Sequence, residues 1–227
     1  MKITAVIVAG GKGTRMGAEK NKVFIPILGR EMLDYTISAF EENKNINEIV
    51  IVTANKDIEE CRHIADRYSK VSFITEGGAT RRISVMAGLK KASGDIVLIH
   101  DGARALVTQR EIDDVIKDCI KYGAAAVGVP CKDTLKTADK DGFIQGTVDR
   151  ETTYLIQTPQ AFYYNEIMRM HERADGDDFE ATDDCMIAER YGKRVKITAG
   201  SYDNIKLTTP EDMVIAEQII IRRKKCE

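Results

Sequence analysis

Ile3-Thr4-Ala5-Val6-Ile7-Val8-Ala9-Gly10-Gly11-Lys12-Gly13-Thr14-Arg15-Met16 is the stretch from which the fold class follows. Ile3 to Val8 is short and rich in β-branched residues, as a strand buried on both faces should be. It empties into a turn carrying Gly10, Gly11 and Gly13, where a backbone without Cβ atoms can approach a ligand and point its N–H groups at anionic oxygens. Lys12, Arg15, Lys20 and Lys22 add full positive charge. The residue types suit a polyphosphate. A tight turn with solvated lysines uses the same glycines, but the added Arg15 and Lys22 favour an anion site.

Two better-known glycine loops do not fit. The dinucleotide fingerprint needs a third glycine where Met16 stands, and the P-loop needs Ser or Thr after Gly-Lys, where Gly13 stands.

Outward from this loop two periods alternate. Short Val/Ile runs at Ile49 to Thr53, Val71 to Thr75, Ile96 to Ile99 and Ala124 to Val129 predict strands buried on both faces. Glu31 to Glu42, Asp57 to Tyr68, Arg82 to Ala92 and Gln109 to Lys121 have helical spacing. The order β-α-β-α predicts an α/β fold with a mostly parallel sheet flanked by helices and right-handed crossovers. Ligands of such sheets sit at the carboxyl ends of strands. Three tips then share one edge: the first glycine loop, Glu76-Gly77-Gly78-Ala79-Thr80-Arg81, and His100-Asp101-Gly102-Ala103-Arg104. A glycine turn followed by arginine, and an aspartate beside glycine, are types that hold ribose, phosphate and a divalent metal. Asp101 could equally cap its turn.

Lys132 to Arg150 breaks the alternation. Asp133 to Thr137, a turn over Asp139 to Gly142, and Phe143 to Val148 predict a hairpin with little to bury on its own. It must lean on something, and a partner subunit or its own domain are the two choices. Further on, Thr182-Asp183-Asp184 reads as a helix start, Val195 to Thr198 as a strand, and Thr208-Thr209-Pro210 as the capped start of a last helix. One domain, 1–227, with an arm at 132–150 is the expected organisation.

A net charge of -2 gives no basic excess, so no nucleic-acid partner is expected. Five scattered cysteines without a C-x-x-C pair argue against disulfides or zinc, and no apolar run is long enough to span a membrane. A cytoplasmic protein is expected. His100, at the end of a buried strand, reads as structural, while His63 and His171 lie among charged helical residues and read as solvent-facing. Cys131 reads as a small buried residue.

Over nearly its whole length the chain resembles the 2-C-methyl-D-erythritol 4-phosphate cytidylyltransferases of isoprenoid synthesis. The match runs through the glycine loop with Arg15, Asn21-Lys22, Gly77-Gly78 with Arg81 and Ser84-Val85, and His100-Asp101-Gly102-Ala103-Arg104. It continues through Lys132-Asp133-Thr134, Thr147-Val148-Asp149-Arg150, Gln157-Thr158-Pro159-Gln160-Ala161-Phe162, Thr182-Asp183-Asp184, and Asp203-Asn204-Ile205-Lys206 with Thr208. The resemblance implies a Rossmann-like nucleotidyltransferase domain, CTP and a sugar-alcohol phosphate as substrates, and Mg2+ as cofactor.

It assigns Arg15, Lys22 and Lys206 to catalysis, and Ala9, Gly10, Gly11, Gly13, Gly78, Arg81 and Ser84 to the nucleotide. Asp101, Arg104 and Thr158 fall on the acceptor, with Asp101 also the candidate metal ligand. Thr134 and Arg150 lie on the arm, which in the family crosses into the neighbouring subunit's site, implying a homodimer. Ala105, Ala9-Gly10-Gly11 and Ala79 depart from the usual pattern, and the glycine loop is shared with enzymes that activate ribitol 5-phosphate. A polyol-phosphate cytidylyltransferase and a silent nucleotide-binding relative are therefore the other readings. The acceptor side, Lys132 to Thr134 and Thr147 to Arg150, resembles the methylerythritol branch.

Overall fold

The computed structural model describes residues 1–11 and 21–225, so Gly13 and Arg15, with Lys12 and Lys20, lie outside the described residues. Eleven strands and seven α-helices occur among them. In chain order they are β1 (Ile3–Val8), β2 (Pro26–Ile27), β3 (Arg30–Glu31), α1 (Met32–Glu41), β4 (Glu48–Thr53), α2 (Ile58–Ala65), β5 (Val71–Glu76), α3 (Arg81–Leu89), β6 (Ile96–Asp101), α4 (Gln109–Tyr122), β7 (Ala124–Pro130), β8 (Lys136–Ala138), β9 (Ile144–Thr147), β10 (Tyr154–Tyr163), α5 (Tyr164–Gly176), α6 (Asp184–Arg190), β11 (Lys196–Ala199) and α7 (Pro210–Lys224).

Seven strands form one sheet in the order β11-β7-β10-β6-β1-β4-β5. β1 is central, parallel to β4 with Val6 opposite Val50 and to β6 with Val6 opposite Ile99. Because side chains alternate along a strand, β1 feeds two cores. Ile3, Ala5 and Ile7 pack with Leu33, Ile37 and Phe40 of α1, Cys61 and Ile64 of α2, and Ile112 and Val115 of α4. Val6 packs on the other face with Val85 and Leu89 of α3, Ile167 of α5, and Cys185 and Ala188 of α6. A third cluster seats Ala216, Ile219 and Ile220 of α7 against Ile27, Met32 and Leu207.

Two expectations change. β5 is an edge strand with a half-exposed pattern rather than one buried on both faces, since only β4 flanks it. β10 and α5 go beyond the predicted alternation, and β10 runs antiparallel to both β6 and β7. Its reversal matters, because a reversed strand brings its beginning and middle, rather than its end, to the edge where the parallel strands finish. The expected hairpin forms, with β8 and β9 pairing only with each other. Phe143 and Ile144 on it are 71% and 66% exposed.

Candidate active site at the carboxyl edge of the sheet

Ala9 fastens the end of β1 by donating its N–H to the Val52 carbonyl at 2.7 Å. Gly10 and Gly11 follow it. At the other side of the undescribed stretch, the Asn21 amide donates to the Ala9 carbonyl at 2.6 Å and to Asp57 at 3.0 Å. Both ends of the glycine loop are thereby pinned to one point beside β1. Lys22 follows at once: it is buried, and its Nζ donates to the Leu207 carbonyl at 2.8 Å. Leu207 in turn donates its N–H to Ala103 at 2.9 Å, after β6. Lys22 therefore joins the glycine loop to the segment that carries Lys206.

The second glycine turn is sterically dictated. A Cβ on Gly78 would overlap the Ile83 side chain, and one on Gly77 would lie 2.7 Å from Ser84 Oγ. Ser84 accepts the Gly78 N–H at 3.1 Å and donates to the Thr80 carbonyl at 2.9 Å. Thr80 caps α3 by accepting from the Ile83 N–H, so Arg81 opens the helix at a fixed direction.

From there Arg81 reaches across to Asp101, the last residue of β6. Its Nε lies 3.3 Å from Asp101 Oδ1 and its Nη1 lies 2.8 Å from Asp184 Oδ2. Lys206 Nζ sits 2.8 Å from the other Asp101 oxygen, and Arg104 Nε 4.0 Å from it. Burial alone would raise the Asp101 pKa, but Arg81 and Lys206 outweigh it and hold the carboxyl far below the ordinary range. Burial works against the Arg81 charge too, and Asp184 and Asp101 reverse that, raising its pKa. Asp101 is thus a carboxylate shared by three cations, not a spare turn cap. Both oxygens of Asp101, the candidate magnesium ligand, face positive partners. Among the described residues no group of three His, Cys, Asp or Glu side chains is placed to hold a metal ion.

Thr158 sits on β10 opposite these residues. Its Oγ accepts the Asp101 N–H at 3.1 Å and lies 3.0 Å from His100 Nδ1, while His100 Nε2 lies 3.2 Å from the Arg104 carbonyl. One tautomer satisfies all three: the Thr158 hydroxyl donates to Nδ1 and Nε2–H donates to the carbonyl. Burial lowers the His100 pKa to about 4, so the ring is neutral near pH 7. Asn204, fully buried, donates to the Thr158 carbonyl at 3.0 Å, and its own backbone carbonyl accepts from Arg104 at 2.6 Å.

Arg81, Asp101, Arg104, Thr158 and Lys206 line one cavity of about 220 Å³. A larger open groove of about 830 Å³ runs along β11 past Tyr122, Tyr154 and Ile197, but none of the described candidate site residues lines it. The smaller cavity is the one with convergent charge. Thr134 and Arg150 are exposed on the arm and outside that cavity's lining. Arg150 donates to the Lys132 carbonyl at 3.3 Å.

Two functional candidates escape sequence reasoning. His171 is completely buried rather than solvent-facing, with Nε2 3.0 Å from Asp184 Oδ1, and Asp184 is itself fully buried. The Asp183-Asp184 pair held the signal. Asp183 alone caps α6 by accepting from Met186 at 2.9 Å, so the second acid is surplus to the cap.

The sequence profile of the 2-C-methyl-D-erythritol 4-phosphate cytidylyltransferase family matches residues 3–222. A protein of that name from Clostridium novyi (strain NT) is 45% identical over 99% of both chains. A solved structure named 4-diphosphocytidyl-2C-methyl-D-erythritol synthase, from Anaerococcus prevotii DSM 20548, superposes with a TM-score of 0.87 at 32% identity, covering 97% of this chain and 96% of that one. The 2-C-methyl-D-erythritol 4-phosphate cytidylyltransferase structure from Thermus thermophilus gives 0.80 at 29% identity, over 95% of this chain and 98% of that one.

Proposed function

The chain belongs to the family of 2-C-methyl-D-erythritol 4-phosphate cytidylyltransferases, and on that premise we propose how its residues join this sugar-alcohol phosphate to CTP with release of pyrophosphate. The acceptor occupies the cavity lined by Asp101, Arg104, Thr158 and Lys206, where Arg104 and Lys206 offset its phosphate charge. CTP lies along the glycine loop and the Gly77-Gly78 turn, with its triphosphate toward Arg15 and Lys22. An anionic oxygen of the acceptor phosphate attacks the α-phosphorus in line. The new P–O bond forms as the bond from that phosphorus to the bridging oxygen breaks, and the leaving electron pair stays on pyrophosphate.

The nucleophile already carries its negative charge, so there is no proton to remove. A neutral His100 bound between Thr158 and Arg104 suits that chemistry as a strut rather than a base. Catalysis is positioning plus stabilisation of charge growing on the α-phosphate. The single observation that carries the reading is the cation set at one strand edge: Lys22 bonded to Leu207, beside a Lys206 that is bonded to Asp101. It supports two phosphates meeting there.

Magnesium would be held chiefly by the CTP phosphates, as this cation commonly is, and would offset their negative charge. The arm is assigned to a homodimer, laying Thr134 and Arg150 over the neighbour's cavity. Exposed Phe143 and Ile144 support a partner there. Cytoplasmic action accords with four buried unpaired thiols, Cys61, Cys119, Cys131 and Cys185. No helix among the described residues is long and apolar enough to cross a membrane.

Pyrophosphate release, measured side by side with 2-C-methyl-D-erythritol 4-phosphate and ribitol 5-phosphate, tests the acceptor. Faster turnover of the methylerythritol compound is expected. Preference for ribitol 5-phosphate would overturn the assignment.

A further inference from the structure

Arg81 is held more elaborately than an arginine at a helix start needs. Asp184 Oδ2 takes its Nη1 and Asp101 Oδ1 takes its Nε, which leaves Nη2 buried without a protein partner on a side chain that lines the acceptor cavity. Behind it Asp184 is locked in turn. His171 of α5 holds its other oxygen, and its backbone N–H donates to Gln160 of β10 at 3.1 Å. Helices α3 and α5 thus meet at one buried carboxylate of α6, whose backbone is tied to β10. A buried ion pair is a weak source of stability compared with apolar packing of the same volume, but it fixes direction. Here the side chain so fixed is one that lines the cavity.

We infer that Asp184, steadied by His171, is a positioning residue that aims the Arg81 guanidinium at an oxygen of the bound acceptor. Arg81 then serves the acceptor, whereas its helix-start neighbours Gly78 and Ser84 serve the nucleotide turn. Neither of those two lines the cavity that Arg81 enters. This inference rests on the cytidylyltransferase reading for its substrate, though not for its geometry.

The test is a crystal structure and steady-state kinetics of Asp184→Asn, which keeps the side chain's size and removes its charge, with His171→Gln as a second, milder variant should the first fail to fold. The expected structural result is that the Arg81 guanidinium leaves Asp101. The expected kinetic result is a KM for 2-C-methyl-D-erythritol 4-phosphate raised about tenfold, with the KM for CTP nearly unchanged, as misplacement of a binding group predicts. An Arg81 that keeps its place in the variant, or both KM values unchanged or rising together, would overturn the inference. A wild-type enzyme that does not use the acceptor would instead sink the functional reading, and the Arg81 displacement would still decide the positioning role.

Discussion

Lys22 shows how a residue's setting changes what its removal does. A buried ammonium that donates to the Leu207 carbonyl is both a catalytic candidate and part of the packing. Lys22→Met is therefore expected to lower kcat by about two to three decades, as loss of one charge-stabilising donor does elsewhere. It should also lower stability by about 1–3 kcal/mol, because the carbonyl loses its partner. Steady-state rates and urea denaturation check the two halves separately, and unchanged kcat would remove Lys22 from the chemistry. His100 gives a pH prediction. Its pKa is about 4 in the fold and near 6.5 when unfolded, so the unfolded chain binds more protons between those values. Stability should therefore fall as pH drops from 6.5 toward 4, by up to roughly 3 kcal/mol for this one group. His100→Gln should flatten that slope in denaturation series. The charged character of Lys22 and the histidine type were legible in sequence. The burial of His100 was legible too, from its place at the end of a buried strand, but that of Lys22 and His171 was not, because Lys22 meets Leu207 and His171 meets Asp184 only once other elements pack against them.

At the scale of elements, the glycine turn before α3 is set by shape. Gly78→Ala is expected to destabilise the protein by about 1–3 kcal/mol, since the new Cβ must displace Ile83. It should weaken CTP binding, and adding Ile83→Ala should restore part of both, measured by thermal unfolding and nucleotide titration. Full stability in Gly78→Ala alone would mean that the turn yields freely. Strands β1, β4, β6 and β7 and helices α1 to α4 were readable from period and β-branching to within a few residues. β10 was not, because Gln157-Thr158-Pro159-Gln160 is polar, contains proline and shifts register against β7 between Ile156 and Gln160. The interruption that hid the strand is also where it supplies Thr158 to the site.

For the molecule as a whole, the sheet order explains why the site lies where it does. Parallel β1, β5 and β6 finish on one edge, and antiparallel β10 passes the same edge with Thr158 against Asp101. That edge was legible in the glycine and aspartate tips. Its completion by α6 and by the segment around Lys206 was visible only through resemblance. The arm sets the prediction at this scale. When Lys22→Met and Arg150→Ala chains are mixed, each mixed dimer should hold one intact site, restoring activity to roughly a quarter of wild type for random pairing. Verified mixed dimers that remain inactive would contradict a site shared between chains.

The most direct measurement is a crystal structure of the protein with 4-diphosphocytidyl-2-C-methyl-D-erythritol, the product of the proposed reaction. The account predicts the methylerythritol moiety in the cavity, within hydrogen-bond distance of Arg81 and Asp101. It predicts the diphosphate between Lys22 and Lys206, and the cytidine along the Gly77-Gly78 turn. Product bound in the groove along β11, or with its diphosphate away from Lys22 and Lys206, would contradict it.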